Sequence, residues 1–342
     1  MVTKSIIKME IITYAPVLIT TLNRYEHFVR CLESLERCTG ADKTDVHVAL
    51  DYPPSDKYKE GWSRIDQYLK EKEAKNGFKN LFVYRRDHNY GVCHVGDNFE
   101  TLIADVSKKY DRYIETEDDN EFSPCFLQFM NKALERFFDD ERVFLVCGYN
   151  YQMTFPKMYR NNFYFTKYGC PWGTGSWTHK NKKMNELTNG EKLRSLLRDD
   201  STYKLLKRRS LHSVKSIVSM LKNNSMYGDA VVGVYNALYD CYCLLPKESM
   251  VRNYGNDGTG EHSRRKNDAQ NDFYVHQSIS KEVSFEFTDD IFTYEPVYLE
   301  RNHYVQKMNL HRWLRELHTE MCFKIDILLL RKFNYLPKNR WI

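Results

Sequence analysis

Glycine and proline are scarce, 15 and 9 of 342 residues, which excludes a collagen-like or low-complexity chain. No uncharged apolar run approaches the ~20 residues needed to span a bilayer. The first fifteen residues carry Lys4, Lys8 and Glu10 and lack a long apolar core, so no signal peptide is expected there. Nine cysteines show no spacing typical of a disulfide framework or zinc module. Cys31 and Cys38 fall on an expected helix, Cys241 and Cys243 on an expected strand, and all read as reduced thiols of a cytosolic protein. Charge of one sign is lacking too: 51 basic against 46 acidic residues leave +5. Without a concentrated basic excess on a recognisable module, no nucleic-acid partner is expected.

What is present is a chain of 42% hydrophobic residues, long enough to bury one large core or two ordinary ones. Residues 16–22 form a short apolar run, followed by helical spacing at Phe28, Cys31, Leu32 and Leu35. Val46–Leu50 reads as a second strand ending at Asp51, and 61–75 as a helix. Leu81–Tyr84 reads as a third strand, and about 94–108 as a helix after the loop 86–91. Tyr113-Ile114 closes a fourth strand that runs into Glu115–Asp119, and Ser123-Pro124 opens another helix. Strands alternating with helices predict an α/β fold with a mostly parallel sheet covered on both faces. Ligands of such sheets bind at the carboxyl ends of the strands, where Thr21–Arg24, Asp51 and Glu117–Asp119 fall. Beyond 145 the alternation fails. Residues 149–183 read as an aromatic loop region, 191–222 as helical, then a helix from about 228 and a strand over 241–245.

Glu117-Asp118-Asp119 is the sharpest chemical signal. Carboxylates crowded on one loop repel one another unless a cation lies between them. Mg²⁺ or Mn²⁺ is held in this way, by carboxylate oxygens together with substrate phosphates. An isolated acidic turn is usually only solvated; its place directly after a hydrophobic strand favours metal binding here.

These residues together resemble a family. Pro16–Arg24, Asp51, Asn89-Tyr-Gly91 with Asn98, and Glu117–Asp119 followed by Ser123-Pro124 resemble, in order, the motifs of GT-A-fold nucleotide-sugar glycosyltransferases, close to family 2 and its bacterial surface polysaccharide relatives. The resemblance implies a Rossmann-like GT-A fold and transfer of a hexosyl group from a nucleotide-diphosphate sugar to a glycan or lipid-linked acceptor hydroxyl. It places Thr20, Thr21, Asn23, Arg24, Asp51, Asn89, Gly91, Asn98 and Asp118 at the donor. Glu117, Asp119 and His262 become candidates for a divalent metal site. Cys170–Trp177 resembles the acceptor-side segment, through Trp172, Gly173 and Trp177, although the same pattern suits a loop anchored in the core by tryptophan. Asp229 stands where inverting members carry their base, with Glu261 in reserve; a helix-capping Asp competes for the first role and a surface His for that of His262. Glu-Asp-Asp departs from the family's Asp-x-Asp, leaving the choice of metal-ligating carboxylate open.

The expected organisation is a nucleotide-sugar-binding half over 1–150, an acceptor-binding half over 151–305 with a helical insertion at about 185–225, and a helical tail over 306–342. The tail repeats Leu310, Trp313, Leu314, Leu317, Met321 and Ile325 at helical steps and carries seven Lys/Arg against three acids. That pattern suits packing on its own domain, a homo-oligomer contact, or a peripheral contact with the inner face of a membrane. Two alternatives to a transferase are a non-catalytic nucleotide- or carbohydrate-binding protein on the same fold and a nucleotidyltransferase. The second would normally show a Gly-rich basic phosphate loop, which Thr20–Arg24 lacks.

Overall fold

Strand β1 (Val17–Thr21) carries side chains for both sheet faces, because successive residues of a strand point to opposite sides. Val17 and Ile19 enter one core with Val46, Val48 and Leu50; Leu18 enters another with Ala49 and Tyr113. The first core is covered by α1 (Tyr25–Glu36) and α2 (Lys59–Ala74), which bury Phe28, Cys31, Leu32, Leu35, Ile65 and Leu69. The second is covered by α3 (Asn98–Val106), through Leu102 and Val106. These helices connect β1 with β2 (Asp45–Leu50), β3 (Asn80–Arg85) and β4 (Arg112–Glu117). The expected alternation over the first half is therefore present. In this computed structural model the described residues are 14–92, 96–151, 155–260, 274–281, 284–288, 290–291 and 310–337.

After β4 come β5 (Asn120–Phe122), α4 (Phe126–Arg136), β6 (Val143–Cys147), β7 (Phe163–Thr166) and β8 (Thr174–Trp177). A helical block follows: α5 (Thr178–Asn185), α6 (Gly190–Arg198), α7 (Asp200–Arg209), α8 (Leu211–Asn223) and α9 (Gly228–Tyr239). β9 (Tyr242–Pro246), β10 (Val251–Asn253) and α10 (Leu310–Phe333) complete the described elements. One eight-stranded sheet has the order β3-β2-β1-β4-β8-β6-β9-β7, and β5 pairs with β10 in a small antiparallel sheet. β3, β2, β1 and β4 run parallel, as do β6 and β9, while β8 and β7 are antiparallel to their neighbours. The fold is α/β with a mixed sheet.

The region read as an aromatic loop thus supplies two strands, and β8 sits mid-sheet between β4 and β6. Its sequence, Thr-Gly-Ser-Trp, lacks the β-branched run that marks a strand. Trp177 is fully buried there, its indole N–H donating to the Leu134 carbonyl at 2.9 Å. The Lys180 ammonium lies 3.8 Å from the indole ring centroid and donates to the carbonyls of Phe137, Asp140 and Val143. Burial pushes that ammonium's pKa down to about 8, and the three carbonyls take up its donors.

The block α6–α9 folds around a separate core that includes Leu193, Leu197, Leu206, Val214, Ile217 and Val234. Part of the basic run 204–222 is spent inside it. Arg209 donates to the last carbonyls of α9, at Ala237 and Leu238, while Lys215 and Lys222 pair with Glu320 and Asp326 of α10. The tail packs on its own domain through that face. Among the described residues, no helix is long and apolar enough to cross a membrane.

Candidate active site

The parallel strands reverse their order of connection at β1: β2 and β3 build outward on one side, and β4 lies on the other. At such a switch point the flanking connections diverge and open a crevice at the carboxyl ends of the strands. At the carboxyl ends of β1 and β4, Thr21 and Arg24 stand on one side and Glu117, Asp118 and Asp119 on the other. In register, Thr20 of β1 stands opposite Glu117 of β4 and Ala49 of β2.

The two aspartates converge on one cation. Arg24 Nη1 donates to Asp119 Oδ2 at 2.8 Å, and Arg24 Nη2 donates to Asp118 Oδ1. Thr21 Oγ1 donates to Asp118 Oδ2 at 2.8 Å, and Asn253 Nδ2 donates to Asp119 Oδ1 at 2.8 Å. Both aspartates are buried, at 5% and 6% exposure. Burial opposes the Arg24 charge, but the two carboxylates outweigh it and raise the guanidinium pKa. Burial raises the Asp119 pKa, and repulsion from Asp118 adds to it against the pull of Arg24. Glu117 is crowded by protein on its sides while it stays open to solvent. Desolvation first, then Asp119, push its carboxyl up to about 8. Trp172 hydrogen-bonds the same carboxyl and packs edge-on against Tyr149 and Tyr274.

One guanidinium facing two carboxylates leaves this cluster an excess of negative charge. That bears on the divalent ion implied by the sequence. Two hard oxygen donors already converge on a single positive group, so Arg24 marks a cation position that Asp118 and Asp119 suit. Among the described residues no three His, Cys, Asp or Glu side chains assemble into a complete ligand set. The pair fits an ion whose remaining ligands come from substrate phosphates and water, as Mg²⁺ commonly binds. His262 and Glu261 lie outside the described residues.

Asp51 at the end of β2 does something the sequence did not suggest. Its Oδ1 accepts from the amides of Tyr52 and Tyr90, both at 2.9 Å. Its Oδ2 accepts from the Gly91 amide at 3.0 Å and from Asn89 Nδ2 at 3.1 Å. It therefore holds the 89–91 turn, where Gly91 adopts φ +67°, beside the crevice. Asn98 is buried and ties the start of α3 to the Ala49 carbonyl, and Arg86 donates to its Oδ1 at 2.8 Å. Asn23 lies in the turn after β1, its carbonyl pressed so closely on Gly61 that a Cβ there would sit 2.0 Å away.

The second half contributes residues that sequence reasoning passed over. Asn253 bridges Asp119 and Asn120, and the Tyr254 amide donates to the Asp119 carbonyl at 2.9 Å. His27 of α1 approaches Asp257 at 3.2 Å beside the Tyr254 carbonyl. The Gly-rich segment after 253 was singled out for its histidine, and its glycines were the available signal. A Cβ on Gly255 would lie 2.1 Å from Asp119 Oδ2. Gly255→Ala is therefore expected to displace Asp119 from Arg24 and to cost about 1–3 kcal/mol, as overpacking does. Thermal unfolding alongside ligand titration checks this; an unchanged Tm and unchanged binding would contradict it.

The other sequence candidates separate. Gly173, at φ +72°, brings its backbone against Phe126 and Val251, and its carbonyl accepts from the Gly148 amide at 2.6 Å. Trp177 belongs to the core, as the loop-anchoring alternative has it, and presents no face to an acceptor. Asp229 is exposed in the first turn of α9 and accepts from the Ala230 amide at 2.7 Å. Among the described residues, no hydrogen bond or ion pair joins it to Glu117–Asp119.

No protein-family model matches the chain, and no curated protein does. Among solved structures, residues 1–349 of TarS from S. aureus overlay with a TM-score of 0.43 and 11% identity, covering 93% of this chain and 81% of that one. A second S. aureus TarS structure gives 0.33 and 14%, covering 54% of this chain and 33% of that one. The mannosyltransferase PcManGT from Pyrobaculum calidifontis, solved with GDP-Man and Mn²⁺, gives 0.35 and 12%, covering 66% and 70%. At these scores and identities none of the three decides what this chain binds.

Proposed function

We propose that the chain is a GT-A-like glycosyltransferase that moves a sugar from a nucleotide-diphosphate donor to an acceptor hydroxyl. The convergence of Thr21, Arg24, Asp118 and Asp119 at the switch-point crevice carries this reading. The 89–91 turn held by Asp51 forms the neighbouring wall, where the nucleoside would rest. Transfer leaves a diphosphate, so the site must stabilise negative charge that grows in the transition state. Asp118 and Asp119 would hold Mg²⁺ or Mn²⁺, which supplies positive charge to the leaving phosphates when bound. With the carboxylates given to the ion, Arg24 would turn its N–H donors to phosphate oxygens. Glu117 and Trp172, hydrogen-bonded to each other beside the two aspartates, would meet a sugar hydroxyl and a sugar face.

Inversion needs a carboxylate that removes the acceptor proton as its oxygen attacks the anomeric carbon. Asp229 is the candidate for that base. Asp229→Asn is expected to lower kcat about 10²–10⁴-fold with donor affinity nearly unchanged. Steady-state kinetics with isothermal titration of the donor checks this. A loss of Tm with unchanged kcat would make Asp229 a helix-terminal residue only.

A further inference from the structure

α10 has two faces of opposite character. Its inner face buries Ile327 and Leu330 in the core of the helical block and sets Glu320 and Asp326 against Lys215 and Lys222. Arg331 lies over the Tyr203 ring at 3.9 Å and pairs with Asp200, closing the same side. The 3.6-residue repeat brings Leu314, Leu317, Met321, Ile325 and Leu328 onto the opposite side, within an arc of about 80°. Each of the five is 41 to 55% exposed. From Trp313 to Thr319 every side chain is exposed. A continuous apolar stripe of this kind, left in water on an otherwise ordinary surface, marks a contact site.

The charges on α10 are sorted about this stripe. Exposed Lys324 and Lys332 fall within or beside the arc, whereas Glu316, Glu320 and Asp326 all lie about 100° or more from its centre. Two of those three acids are taken up by α8. Lys332 lies within the stripe, and among the described residues Lys324 at its edge is answered only by Glu320, which Lys215 already holds. An apolar stripe with lysines within and beside it, and its nearest acids on the flank toward α8, suits a surface that is apolar beneath and anionic on top. Trp313, on its edge, has the amphipathic ring that rests well at that boundary.

We propose that the outer face of α10 docks the protein on an anionic lipid surface, with the helix lying in the plane of the headgroups and its five aliphatic side chains inserted. The proposal rests on α10 alone and stands apart from the catalytic reading. Flotation of the full-length protein with phosphatidylcholine vesicles, with and without 30% phosphatidylglycerol (about one lipid in three), tests it. Cofloatation with the anionic vesicles at low salt is expected, falling several-fold at 0.5 M salt (a few-Å screening length) and absent with phosphatidylcholine alone. Leu317→Glu combined with Met321→Glu should abolish it with Tm unchanged, since neither side chain is buried, and Lys324→Glu with Lys332→Glu should weaken it several-fold. Failure of the wild-type protein to float with anionic vesicles overturns the proposal. So does equal flotation with neutral vesicles, or an unchanged double glutamate variant. A dimer in light scattering that the glutamates convert to a monomer, without any vesicle binding, assigns the face to self-association instead.

Discussion

Asp119→Asn is expected to reduce sugar transfer at least about 10²–10³-fold, the usual cost of removing an electrostatic stabiliser from a site where charge develops. Asp119 takes one bond from Arg24 and one from Asn253, and its main chain takes a third from Tyr254. The amide has nearly the same shape, so the fold should survive. It cannot answer the guanidinium's charge, however, and it can offer an N–H where a cation or Asn253 already points. Arg24→Ala should behave differently. It leaves two buried carboxylates without a cation, which costs stability on the scale of a broken buried pair, about 3–5 kcal/mol. Divalent metal should partly restore the Tm of that variant, because the ion would fill the position the guanidinium leaves. A Tm of Arg24→Ala indifferent to Mn²⁺ would contradict the shared-cation account.

Asp51→Ala has the second largest expected effect. Four hydrogen bonds end on this one carboxylate, and three of them come from Asn89, Tyr90 and Gly91. Charge-assisted bonds contribute about 1.5–3 kcal/mol each when buried and less at an open loop, so their combined loss should cost about 2–4 kcal/mol. The turn would then open, and nucleotide affinity is expected to fall about 100-fold, the equivalent of ~2.7 kcal/mol. Asp51→Asn should rescue little, since its amide nitrogen would face the donors of Gly91 or Tyr90. Calorimetric titration with nucleoside diphosphates measures the loss. Binding of wild-type strength in Asp51→Ala would show that the turn takes no part in the site.

The first half of the fold was legible because its strands are short apolar runs and its helices keep one buried stripe. Val17–Thr21 and the spacing of Phe28, Cys31, Leu32 and Leu35 carry that pattern in the sequence itself. β8 was not legible. Its residues are small or polar, and only the sheet's demand for a partner between β4 and β6 makes them a strand. That same placement turns Trp177 inward, the core-anchoring alternative that the motif also allowed. At the site, Arg24, Asp118 and Asp119 could be named from their position at strand ends. Their joining could not, since it depends on β1 and β4 lying side by side. Asn253 reaches Asp119 across 134 residues of chain, and nothing local to either one signals the other. Asp51 was named for the donor from its place at a strand end; that its carboxylate also holds the turn beside it is a role only the three-dimensional register discloses.

The most direct measurement incubates the purified full-length protein with a panel of nucleotide-diphosphate sugars, with and without Mn²⁺, and follows release of the nucleoside diphosphate. Turnover of at least one donor, lost in Asp119→Asn while that variant still folds and melts cooperatively, is the result expected. Turnover equal in wild type and Asp119→Asn, or neither turnover nor a thermal shift with any donor in the panel, would contradict sugar transfer at this crevice.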